Sequence, residues 1–170
     1  MRLLLPAALT GALTGPALAG ELRVEVEIPR LNVAEYHRPY VAVWIEQPDQ
    51  TAVATLSVWY DVALRNGEGT TWLKDMRQWW RRAGRAMEMP ADGISGATRP
   101  PGRHATAYEA SHPALSALVP GEYRLVVEAA REVGGRELVR IPFQWPPEAG
   151  QTLETTGSHE LGAVVIHLNP

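Results

Sequence analysis

The chain reads as a mainly β protein: an antiparallel immunoglobulin-like β-sandwich with one inserted amphipathic helix and a long functional loop. Three observations predict this. Short apolar runs of period two recur along the chain, separated by Pro- and Gly-rich turns. The strand–helix alternation that builds parallel sheets is absent. Leu118-Val119-Pro120-Gly121-Glu122-Tyr123 has the form of a tyrosine corner, in which the Tyr hydroxyl bonds to backbone a few residues upstream.

Each element follows from local pattern. Glu21 to Ile28 alternates charged and aliphatic residues, a half-buried strand ended by Pro29. Tyr40 to Glu46 is apolar on both faces and predicts a central strand. A turn at Gln47-Pro48-Asp49-Gln50 joins it in a hairpin to Ala54–Tyr60. After Gly67-Glu68-Gly69 the period lengthens. Trp72, Met76, Trp79, Trp80 and Ala83 then fall at helical spacing, predicting a helix over 71–84 capped by Thr70 or Thr71 and closed by Gly84. Residues 87–103 predict the long loop, because prolines at 90, 100 and 101 disfavour helix and strand. Strands return at 124–129 and 137–145, turned by Gly134-Gly135, and a last strand spans His159 to Leu168. The count is roughly seven strands and one helix.

Composition sets the compartment. Met1-Arg2, an apolar stretch through Leu13, and Ala17-Leu18-Ala19 predict a signal peptide over residues 1–19, cleaved before Gly20. That stretch is too short and too broken by Pro and Gly to span a bilayer. Residues 20–170 then form a single β-sandwich domain, and a periplasmic location follows. The chain has no cysteine, so thiol redox chemistry and cysteine-ligated iron–sulfur clusters are excluded. Net charge is −3, which argues against a nucleic-acid role.

One heptad names a chemistry. Asp92-Gly93-Ile94-Ser95-Gly96-Ala97-Thr98 resembles the flavin-attachment motif in membrane subunits of sodium-pumping NADH:quinone oxidoreductases and Rnf-type complexes. The resemblance implies that a flavin transferase moves FMN from FAD onto Thr98 as a phosphoester, with Asp92 as the motif's leading acid. The residue types suit that task. A threonine hydroxyl needs outside activation, and Gly93 and Gly96 let a partner approach closely. Ser95 and Ala97 are small enough to thread a narrow active site. Asp92 either bonds backbone N–H groups of its own turn or helps position the transferase's metal. Arg99, beside the proposed ester, suits a phosphate through its planar fork.

Other features have two readings each. Among the six tryptophans, one of Trp72, Trp79 and Trp80 either walls a flavin or fills the core. Arg77, Arg81, Arg82 and Arg85 with Arg103 meet a phosphate or an acidic partner, or form a solvated face. His104 either hydrogen-bonds a flavin or is an exposed loop residue. The five histidines make no zinc signature, and no serine sits in a G-x-S-x-G elbow.

Across its mature length the chain is also similar to the predicted periplasmic proteins of domain-of-unknown-function family 2271. The likeness rests on Trp59-Tyr60-Asp61, on Trp72-Leu-x-Asp-x-x-x-Trp79-Trp80, and on the heptad. It implies association with flavin transferases and PepSY-type membrane flavoproteins, hence a part in transmembrane electron transfer. The expectation is a periplasmic electron carrier with FMN on Thr98, itself more a transferase substrate than an enzyme. The alternative is a cofactor-free immunoglobulin-like binding module.

Overall fold

The computed structural model describes residues 20–170; the expected signal peptide, 1–19, lies outside the described residues. Among the described residues, nine strands form two sheets. They are β1 (Glu21–Ile28), β2 (Tyr40–Glu46), β3 (Ala52–Tyr60), β4 (Ser95–Ala97), β5 (Gly102–Glu109), β6 (Gly121–Ala130), β7 (Arg136–Trp145), β8 (Gln151–Thr156) and β9 (Ala163–Asn169). One sheet runs β5-β1-β9-β8, the other β4-β3-β2-β6-β7. All pairs are antiparallel except β3 with β4. The β-sandwich read from the sequence is the fold.

The alternation along β1 places Leu22, Val24, Val26 and Ile28 between the sheets, where they meet Val43, Leu125, Phe143 and Ile166. Each such aliphatic side chain contributes about 1.5–3 kcal/mol on burial. The five-stranded sheet is also covered outside. Ala42, Trp44, Val58, Tyr60 and Val126 form a second core with Leu73, Met76 and Trp79 of the insertion after β3. That explains why β2 is apolar on both faces: it is central, with a core on each side. Tyr123 closes the predicted corner, its hydroxyl donating to the Val119 carbonyl at 2.7 Å. The hairpins at 47–50 and 131–135 form as expected, with Gln50 and Val133 at positive φ.

Two expectations need correction. The helix over 71–84 is shorter and of mixed type. Arg65–Asp75 is 3₁₀ in character, broken by Asn66 and Gly67 at positive φ, and an α-helix, α1, covers only Arg77–Arg82. Leu73, Met76 and Trp79 are the large side chains buried here, a three-residue spacing that suits 3₁₀ turns, while Trp72 is 48 % exposed. Thr70 does not cap; its hydroxyl donates to the Gly67 carbonyl. The cap comes from across the fold: the Glu128 carboxylate accepts the Gln78 and Trp79 N–H groups at 3.1 and 2.8 Å. Gly84 does not close the segment: Ala83 is the C-cap of α1, and a 3₁₀ turn continues over Gly84–Ala86, with Gly84 packed so that a Cβ would stand 2.6 Å from the Trp79 ring.

The second correction concerns strands. The sequence pattern gave no sign of β4, β5 or β8, and β9 begins at Ala163 rather than His159. β5 and β8 are the edges of their sheet and are largely exposed on both faces, so they carry no apolar alternation. The N–H groups of residues 158–161 go to the Glu137 carboxylate instead of a ladder. A short second helix, α2 (Pro113–Ser116), packs near β3 and is capped by the His112 ring accepting Ala114 N–H.

Candidate functional site

The heptad is not wholly a loop. Asp92 and Gly93 form a turn with Gly93 at φ +72°, and Ser95–Ala97 then run as β4, parallel to β3. Pro and Gly nearby lower strand propensity, but the free edge of β3 offers backbone partners that propensity ignores. The register sets Ser95 beside Val58, Gly96 beside Trp59 and Ala97 beside Tyr60. Val58 N–H donates to the Ile94 carbonyl at 2.8 Å and Thr98 N–H to the Tyr60 carbonyl at 3.2 Å. The cis Met89-Pro90 bond precedes the turn.

Within the turn, Ser95 does the work expected of Asp92. The Ser95 hydroxyl accepts Ala91 N–H at 2.9 Å while Ser95 N–H donates to the Ala91 carbonyl. The Asp92 carboxylate is exposed and has no hydrogen-bond partner among the described residues. The reading in which Asp92 bonds backbone N–H groups of its own turn is therefore not what the structure shows. Thr98 is half-buried, and its hydroxyl likewise makes no hydrogen bond among the described residues. Arg99 is exposed, with its guanidinium 5.5 Å from the centre of the Trp59 ring. That contact turns it toward an aromatic face.

Beside β4, on β3, Trp59 and Tyr60 are both buried, Trp59 in the core between the sheets and Tyr60 in the outer one. Trp59 also meets His104 edge-on at 5.9 Å, and the His104 ring hydrogen-bonds the Pro100 carbonyl at 2.7 Å. The polar-loop reading of His104 therefore gives way to a strand residue that ties the segment after the heptad. Tyr60 packs edge-on to Tyr40 at 6.2 Å, and burial pushes the Tyr40 phenol above its ordinary value, keeping it neutral. Ile94, the heptad's one large apolar residue, packs half-buried into the outer core with Trp80, Met87 and Met89. So Trp59-Tyr60-Asp61, the tryptophan-rich segment and the heptad, far apart in sequence, converge on one sheet edge.

A family model described as "Predicted periplasmic protein (DUF2271)" matches residues 21–163. The chain belongs to this family. No curated protein and no solved structure matches it. The family is thus described as periplasmic, and no helix among the described residues is long and apolar enough to cross a membrane.

The remaining sequence candidates of this family member sort by burial. Trp79 is fully buried, with its indole N–H on Thr55 Oγ1 at 3.2 Å, so it serves the core. Trp80 is half-buried at a ring distance of 6.3 Å from Trp79. Arg82 donates to the Gln50 carbonyl and side chain, Arg81 to Gln78, and Arg103 lies 3.8 Å from Glu27. Two open grooves lie away from the heptad. One, of about 530 Å³, runs over Arg23, Glu25, Thr152 and His167. The other, of about 390 Å³, lies beside the buried Arg131–Glu160 pair.

An unengaged hydroxyl stands on a sheet edge, flanked by glycine, alanine and an exposed arginine. Sequence reasoning named Ile94 and Trp59 within motifs but gave no positional role at the site to them or to the Tyr60 carbonyl. Ile94 falls at the motif's variable position, and strand pairing leaves no local signal, so neither could be read from spacing.

Proposed function

We propose that this protein carries FMN attached by a phosphoester to Thr98 and works in electron transfer in the periplasm, with a membrane redox partner such as a PepSY-type flavoprotein. The observation that carries the reading is the Thr98 hydroxyl, partly exposed at the end of β4 and engaged by no other group among the described residues. In the attachment step Thr98 Oγ1 forms a bond to the FMN phosphorus of FAD. The pyrophosphate bond breaks, AMP leaves, and the hydroxyl proton passes to a base on the flavin transferase. FAD is the co-substrate, and no oxidation or reduction occurs in this step.

Bound FMN supplies the redox chemistry; the protein supplies position and electrostatics. Gly93, Gly96 and Ala97 leave the approach to Thr98 open. Asp92 presents a free carboxylate to the transferase and its metal. Arg99, one residue from the ester, places a permanent positive charge beside the phosphate. Ser95 holds the turn.

The test is co-expression with a flavin transferase and FAD, followed by denaturing electrophoresis and intact-mass measurement. A fluorescent band with one added FMN, lost in Thr98→Ala, supports the reading. A bare chain from cells that flavinylate another motif-bearing protein rejects it and leaves a cofactor-free binding module.

A further inference from the structure

We infer that the transferase takes up a form of the protein in which the segment from Ile94 to Pro101 has peeled away from β3, and that Ile94 is the anchor controlling that release. This rests on the flavin-attachment reading of Thr98 and adds the conformation in which the site reacts.

The segment is built as a strap. At one end Gly93 has φ +72° and at the other Gly102 has φ +139°, and an added Cβ at either would meet nothing within 4 Å. Glycine at both ends lets the backbone reorient without moving a side chain, and Gly102 is at the same time the first residue of β5, paired with Ile28. Between them the strap is held by one short ladder and a few side-chain contacts. Ser95, Gly96 and Ala97 pair with Val58, Trp59 and Tyr60, and the Ile94 carbonyl and Thr98 N–H extend the ladder to Val58 and Tyr60. The Ile94 side chain enters the outer core, Arg99 lies over Trp59, and His104 bonds the Pro100 carbonyl. Every other side chain of the heptad is small or exposed.

In the paired state Thr98 is half-buried and its own N–H is committed to Tyr60. Phosphoryl transfer needs the acceptor oxygen in line with the P–O bond that breaks, inside a site that excludes water. Thr98 is half-buried on the flank of a two-sheet sandwich, and its hydroxyl reaches further into such a cleft once the segment that bears it has left the sheet edge. Released, Thr98 hangs on four residues from Gly102, a reach of roughly 13 Å. Short edge elements with few apolar contacts open at low free energy. The three strand positions of β4 and the single apolar anchor place this strap in that class.

The experiment measures initial rates of FMN transfer from FAD to the full chain by purified transferase at limiting protein. The variants are Ile94→Ala, which removes the anchor, and Ile94→Val, which keeps most of it. Amide exchange at Thr98 and Val58 reports release in the same samples, and near-ultraviolet circular dichroism reports the fold. The expected result is a roughly three- to tenfold faster transfer in Ile94→Ala, matched by faster exchange at both amides, with Ile94→Val near wild type. Faster exchange without faster transfer overturns the inference, because release then does not limit modification. Slower transfer in Ile94→Ala also overturns it, because the paired strand would then be what the enzyme recognises. If the wild-type chain stays unmodified while a control motif-bearing protein is modified, the flavin reading itself fails, and the inference with it.

Discussion

Glu128 and Trp79 are joined by a 2.8 Å hydrogen bond from the Trp79 backbone N–H to a carboxylate oxygen, and both residues are fully buried. The same carboxylate accepts Gln78 N–H at 3.1 Å and pairs with Arg136 at 2.7 Å. A strand residue thus caps the N-terminus of α1 and fastens the inserted layer to the sheet. Three donors neutralise a charge that burial alone would make costly.

Removing that carboxylate has a predictable cost. Glu128→Ala leaves the buried Trp79 N–H and the part-buried Gln78 N–H without a partner and opens a cavity under α1, while Arg136, 40 % exposed, can turn to water. The expected loss is about 2–4 kcal/mol. A urea titration followed by tryptophan fluorescence checks it, and an unchanged midpoint would show that α1 is held by packing alone.

Glu137 gives the fold an acid sensitivity. Its burial raises the carboxyl's proton affinity, but the N–H groups of Ser158, His159, Leu161 and Glu160 outweigh this and hold it below its ordinary value of 4.5. A lowered folded value means the stabilisation is complete above the unfolded value and is lost as pH falls through the folded one. Wild type is expected to lose thermal stability below about pH 4.5. Glu137→Gln is less stable at pH 7 and has a flatter profile. Melting temperatures at pH 7, 4 and 3 test this, and parallel profiles for the two proteins would contradict it.

Tyr123→Phe removes only the hydroxyl that donates to the Val119 carbonyl. The ring stays packed 6.0 Å from Phe143. The expected cost is about 1 kcal/mol, read as a lower denaturant midpoint at unchanged m-value. No loss would mean that the corner is held by its apolar contacts.

Gly69→Ala should be more damaging than a surface glycine substitution. A Cβ there would stand 2.0 Å from the Asp61 carbonyl oxygen, a backbone atom that cannot step aside. The 3₁₀ segment would have to lift off the end of β3, at about 3 kcal/mol. Chemical denaturation measures the cost, and a difference under about 0.5 kcal/mol would show that the segment adapts freely.

Much of this was legible in the chain. The alternation of β1, the doubly apolar β2 and the Pro-Gly-x-Tyr corner each encode burial or a turn in a few consecutive residues, so they could be read one by one. The heptad's residue types were legible in the same way, but not its pairing. β4 has no apolar alternation to betray it, since its strand state comes from the unfilled edge of β3. The helix was overread because tryptophans at 72, 79 and 80 satisfied a 3.6 period, while burial selected Leu73, Met76 and Trp79 at a spacing of three.

The sequence by itself determined a cysteine-free β-sandwich with a candidate acceptor threonine, because periodicity and turn chemistry act over short range. Only the tertiary structure decided that Thr98 directly follows a strand at a sheet edge and that α1 begins at Arg77. The partners responsible, the Tyr60 carbonyl for Thr98 and the Glu128 carboxylate for α1, arrive from distant parts of the chain. A hydrogen bond between groups tens of residues apart leaves no periodic trace in either stretch.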